Sequence, residues 1–178
     1  ANSDKLVAKF GNNNVVALGL TLVCTGMLLF TTVEVGTDYL RIALTFFILG
    51  LGMGLTMAPS TTMVMDSIPA DKAGVGSATN DASREVGGAL GIAIGGSVLN
   101  QIYQNNLIIP EGLESSSALA TESFPAAMRI GGQLLGQGNM LGSELIANAS
   151  LAFMEGMVGS AMVSAGVAFI TAILVKFY

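Results

Sequence analysis

Four long apolar blocks constrain this 178-residue chain more than any other feature. They cover residues 15–33, 40–65, 78–102 and 157–177. A helix rises about 1.5 Å per residue, so each block can cross the roughly 30 Å of hydrocarbon in a bilayer. Lipid offers backbone amides no partner, so a crossing segment must satisfy its own hydrogen bonds, and blocks of this length do so as helices. Composition points the same way. Hydrophobic residues make up 52% of the chain and charged residues 11%, where a soluble domain carries about 25% charged residues. The expectation is an all-α integral membrane bundle with four transmembrane helices and the lipid bilayer as its surroundings.

Several function classes fall away. There is no His, and Cys24 is the only cysteine, so histidine catalysis, a metal centre and an internal disulfide are excluded. Cys24, in the middle of the first block, reads as a packing residue. A pI near 4.5 gives no basic footprint for nucleic acid. The glycines of "GLGMG" lie inside an apolar block with no strand before them, so they are not a phosphate loop. No nucleophile elbow or ligand cluster is present, and an enzyme is not expected. The opening "ANSDKLVAKFGNNN" has no initiator Met, signal-peptide n-region or cleavage site. It reads as a loop joined midway, and the chain is expected to be the C-terminal piece of something longer.

Charge orients the blocks. Lys5, Lys9, Lys72 and Lys176 fall on one side, whereas Glu34, Asp38, Glu111, Glu114, Glu122, Glu144 and Glu155 face Arg41 and Arg129 on the other. Lys and Arg near span ends mark the cytoplasmic face. Both termini and the loop 67–75 are therefore expected inside the cell, and the long segment 104–154 outside. That outer segment holds a polar stretch, "ESSSALATES". After Pro125 come apolar residues at helical spacing, read either as two short amphipathic helices, the second feeding the last span, or as a partly ordered loop. "NAS" at Asn148 matches a glycosylation sequon too short to carry weight.

Small residues recur at four-residue spacing: Gly87, Gly91 and Gly95; Gly88 and Gly96 beyond Ile92; Gly50 and Gly54; Ser160, Ser164 and Ala168; Ala161 and Ala165. In lipid, helices pack where small side chains let backbones approach, so these positions are expected to meet helical neighbours; the alternative is that they line a substrate path. Pro59, inside the second block, removes one backbone hydrogen bond and bends its helix. Ser60, Thr61 and Thr62 stand ready to satisfy the freed carbonyl. The bend is either a gate hinge or a shape feature of the bundle.

Asp81, Arg84 and Glu85 cluster at the start of the third block. Asp81 and Glu85 are four apart and share a helix face, and Arg84, three from Asp81, is close enough to pair with it. With the helix entering the bilayer near Ala78, the acids sit roughly 5 to 10 Å below the inner surface. A carboxylate there needs a wet cavity or a partner, and a group so placed can load and release a proton. Alternatively the hydrocarbon begins at Val86, and "NDASRE" is an interfacial first turn whose acids favour the positive end of the helix dipole. Asp66 reads as an interfacial charge.

The passage "SIPADKAGVGSATNDASREVGGALGIAIGGSV" has a Pro–x–x–x–x–Gly loop, a small-residue run, an Arg before a Gly-Gly pair and a Gly-rich helix. It resembles the penultimate helix of major facilitator superfamily transporters, most closely the fourteen-helix drug:proton antiporter branch. "AKFGNNNVVALGL" is similar to the second-half copy of the family's cytoplasmic loop motif, although Ala8 stands in place of the acid and Asn12 and Asn13 in place of basic residues. The long outer segment also fits this branch.

The resemblance implies the last four helices of the C-terminal half of a major facilitator fold, with partner helices N-terminal to them. It implies efflux of small amphipathic, often cationic compounds from the cell membrane by alternating access. The proton is the coupling ion and no other cofactor is involved. It assigns Asp81 and Glu85 to proton coupling or cation recognition and Arg84 to a commonly basic position. Met53, Met57, Met63 and Met65 could adapt a cavity to varied ligands, or serve packing. Two other classes stay open: a complete four-helix membrane protein that oligomerises, and a metabolite exporter or ligand-sensing paralogue.

Overall fold

A computed structural model describes residue 7, residues 9–34 and residues 36–177. Lys5 and Ala8, named above for charge and for the loop motif, lie outside the described residues. Among the described residues every regular element is helical. Helix α1 is Asn12–Phe30, α2 is Tyr39–Asp66, α3 is Ala73–Asn106, α4 is Ser117–Glu122, α5 is Phe124–Gly136 and α6 is Leu141–Phe177. Four of these, α1, α2, α3 and α6, are long and apolar enough to cross a membrane. The chain is an all-α, multi-pass membrane protein.

The expected blocks fall largely within these four helices, and where a helix outruns its block the excess is informative. At about 1.5 Å per residue α6 is some 55 Å long, nearly twice the hydrocarbon thickness. One crossing does not need its first turns. They are helical because Leu145, Ala149, Ala152 and Gly156 recur on one face and are buried. The second short helix read from the sequence was to feed the last span; here the two are one continuous helix. The other expected short helix is α5, started by Pro125 in its first turn. The polar stretch before it also folds, as a 3-10 turn Glu114–Ser116 running into α4.

The chain divides into two compact units. The first contains the described residues through Val33, Thr37–Ala93 and the end of α6 from Ala161. Here α1 and α2 approach closely at glycines. A Cβ on Gly19 would lie 2.8 Å from the Gly52 carbonyl oxygen, and one on Gly52 would lie 2.7 Å from the Gly19 carbonyl oxygen. Gly26 accommodates Leu49 in the same way. Thr31 and Thr32 end α1 by donating their hydroxyls to the Leu28 and Leu29 carbonyls at 2.7 Å each. Cys24 is buried against Ala165 and Ala168, so the packing role read from sequence is where it sits.

Gly50 and Gly54 were expected to meet helical neighbours, more than this chain carries; among the described residues a Cβ added at either would meet nothing within 4 Å, whereas one at Gly52 would. Two residues along a helix turn the side chain by about 200°, so Gly52 points opposite to its neighbours. The four-residue pattern was genuine, but it marked the uncovered face.

The second unit is Glu34–Gly36 with Ile94–Ser160. Its core includes Tyr103, Leu113, Ala120, Ala127, Leu145 and Ala149. The Asn139 side chain accepts the Leu141 N–H at 3.0 Å and caps the start of α6. The Asn148 side chain donates to the Ile108 carbonyl at 3.0 Å, which gives that residue a structural task unrelated to the sequon.

Candidate functional site

The charged cluster belongs to α3, and where that helix begins bears on the helix-dipole part of one of its two readings. Helix α3 starts at Ala73, and its first turn holds no acid. Asp81, Arg84 and Glu85 lie more than two turns inside it, about 12 Å or more along the axis. The partial positive charge of a helix N-terminus fades within the first turn. The helix-dipole account of these acids therefore fails, because the loop is shorter and the helix longer than expected.

Helical periodicity then sorts the side chains. Asp81, Arg84, Glu85, Gly88, Gly91 and Gly95 fall in one stripe about 120° wide. Val75, Val86, Leu90 and Ile94 fall on the other side, and all four are exposed. A shallow groove of about 890 Å³ runs along this apolar side, lined by Val75, Ala78, Ala82, Val86 and Leu90 among others. The acids border the groove and do not line it.

Asp81, Arg84 and Glu85 are all exposed. No hydrogen bond or ion pair within the described residues joins Arg84 to either acid, so the pairing with Asp81 that the spacing allowed is not formed here. Two carboxylates and a guanidinium thus project from one face of α3, between small polar first turns and the apolar run that begins at Val86. Such a face can take up a proton or a cation, and it is costly against lipid.

The glycines of this helix divide. A Cβ on Gly95 would lie 2.9 Å from the Ser160 hydroxyl oxygen, a close contact inside the second unit. At Gly87, Gly88 and Gly91 it would meet nothing within 4 Å. The expected packing role is thus occupied at Gly95, and the other three present open backbone among the described residues.

Pro59 is buried, and α2 continues through it to Asp66. Of the three hydroxyls expected to serve the freed carbonyl, that of Leu55 one turn back, those of Thr61 and Thr62 bond elsewhere. Thr61 donates to the Met57 carbonyl at 3.0 Å and Thr62 to the Ala58 carbonyl at 3.2 Å. Each of these hydroxyls reaches the residue four before its own, so neither arrives at the Leu55 oxygen.

Residues missed by sequence reasoning gather in the second unit. The buried Tyr103 donates its hydroxyl to the Ala120 carbonyl at 2.9 Å. Its ring meets Phe124 edge-on at 6.4 Å, and Phe124 stacks on Phe153 at 4.4 Å. Asn106 donates to the Glu155 carboxylate. A signal existed in the three aromatics in and around residues 104–154, but no periodicity links residues so far apart.

Known proteins similar to this chain share a theme. It is 26% identical over 162 residues to the Multidrug efflux pump LfrA of Mycolicibacterium smegmatis, an alignment covering 90% of this chain and 32% of that protein. It is 33% identical over 128 residues to the Multidrug transporter protein MdtP of Bacillus subtilis, covering 70% of this chain and 23% of that one. It is 29% identical over 130 residues to the Methyl viologen resistance protein SmvA of Salmonella typhimurium, with 66% and 26% covered. The chain thus spans about a third or less of the length of these curated relatives. No solved structure matches it significantly. The sequence model of the Major Facilitator Superfamily matches residues 2–101, more than half of the chain and all of the charged stripe, and the chain belongs to that superfamily.

Proposed function

We propose that this chain forms the last four transmembrane helices of a fourteen-helix carrier that exports amphipathic, often cationic compounds in exchange for protons. The carrier sits in the cell membrane, with both ends of this piece cytoplasmic, and the remaining helices cover the face of α3 left open here. The observation that carries the reading is the stripe of Asp81, Arg84 and Glu85, set more than two turns inside α3 and directly before its apolar run. Similarity to named multidrug exporters supports the substrate class.

The chain's own residues would act by changing charge. With Asp81 and Glu85 ionised, this part of α3 is stable only facing a wet cavity; protonated, it tolerates a drier surrounding. Loading a proton therefore biases which side of the carrier is open.

Magnitudes suggest why two acids are useful. A proton falling through about 100 mV and one pH unit releases about 3.7 kcal/mol. Inverting a two-state population from 1:99 to 99:1 takes about 5.5 kcal/mol. One proton falls short, and two exceed it.

The test is dye efflux and the accompanying cytoplasmic acidification by the full-length carrier carrying Glu85→Gln, Asp81→Asn or both. Loss of proton-linked efflux in the double variant is expected. Export with undiminished acidification in that variant would remove the pair from coupling.

A further inference from the structure

Within the second unit, the segment joining α3 to α6 is built unlike a mobile gate. Segments that open and close have few buried contacts. This one encloses a core to which α3 gives Tyr103, the connection gives Leu113, Ala120 and Ala127, and α6 gives Leu145 and Ala149. Separating the outer ends of the two long helices would expose all of it.

Three further kinds of contact fasten the same ends. At Gly156 a Cβ would lie 2.7 Å from the Leu99 carbonyl oxygen, so the backbones touch. Asn106 holds the Glu155 carboxylate, and Asn148 holds the Ile108 carbonyl. Phe124 bridges the aromatic rings of Tyr103 and Phe153. These contacts are chemically independent, so none substitutes for another and all resist the same motion.

We propose that residues 104–140 are a rigid strut that makes the outer part of α3, from Ile94, and the first half of α6, to Ser160, a single body throughout the transport cycle. Tyr103 and Phe124 are its positioning residues. The inference rests on the alternating-access reading for its setting, and its own content is the fixed distance between two helices.

The test uses the full-length carrier in lipid nanodiscs, with every native cysteine, Cys24 among them, replaced and spin labels introduced at Asn100 and Ala147, both exposed. Pulsed dipolar spectroscopy should give one narrow distance, unmoved by acidic or alkaline pH or by a cationic dye. A second distance, or a shift of the mean with pH or dye, overturns the strut. Phe124→Ala should broaden the distribution, and an unchanged width in that variant also counts against it. Dye efflux is measured on the same labelled carrier. Efflux with a moving distance sinks the strut and leaves the transport reading intact. A fixed narrow distance without efflux supports the strut while the transport reading fails.

Discussion

The Tyr103 hydroxyl and the Ala120 carbonyl, 17 residues apart in sequence, meet at 2.9 Å in a buried hydrogen bond. It ties the end of a long apolar helix to the short α4. A neutral bond of this kind contributes about 1 kcal/mol, and leaving a buried carbonyl unpaired costs about 1–3 kcal/mol. Tyr103→Phe keeps the ring and its contact with Phe124 but orphans the Ala120 oxygen. We expect a loss of about 1–3 kcal/mol, read as a lower thermal midpoint in detergent. Faster amide exchange should be confined to residues 117–126.

The contact between α1 and α2 distinguishes glycines that look alike. Gly52→Val places side-chain atoms against the Gly19 backbone and should cost upward of about 1–3 kcal/mol as the helices are forced apart. Gly54→Ala meets open space and should be neutral, or stabilising by up to about 1 kcal/mol through helix propensity. Denaturation of the two variants side by side in one detergent checks the contrast.

Cys24 is buried beside Ala165 and Ala168. A maleimide should label it in sodium dodecyl sulfate and leave it unmodified in native membranes, as judged by mass shift. Cys24→Leu should destabilise by about 1–3 kcal/mol through overpacking, and Cys24→Ala by less.

Glu114 supplies the pH-dependent prediction. The Gly112 N–H donates to its carboxylate at 2.9 Å. That bond, and then its own backbone N–H, hold the carboxyl below its ordinary value of 4.5. The folded-state value is depressed, so the stabilisation is complete above 4.5 and is lost as pH falls through the lowered value. The Gly112 amide proton shift should follow that titration, with a midpoint below that of a free glutamate. Glu114→Gln should abolish it.

How much was legible beforehand depends on the range of the cause. The four spans follow from local hydropathy, and Cys24 from its place within one of them. The start of α3 was missed because Ala73–Asn80 is small and polar: little there is apolar enough to mark a span, yet nothing breaks a helix. Gly52 was overlooked because a lone glycine carries no period, while Gly50 and Gly54 carry one on the wrong face. Tyr103, Phe124 and Phe153 were unreadable for a different reason. Their meeting depends on how the segment between α3 and α6 folds back, which no local pattern encodes. Asp81 and Glu85 were singled out because charge at the start of an apolar block is conspicuous whatever surrounds it.

The unbroken run of α3 from Ala73 through Asp81 makes chain length as strict a requirement as residue identity. Each residue turns a helix by about 100°. One inserted or deleted alanine in that run would swing everything before it around the axis relative to the carboxylates. A hydropathy plot would hardly register the change. Natural variation in this stretch should consequently favour substitutions over indels, and where indels do occur they should come in multiples that restore the phase.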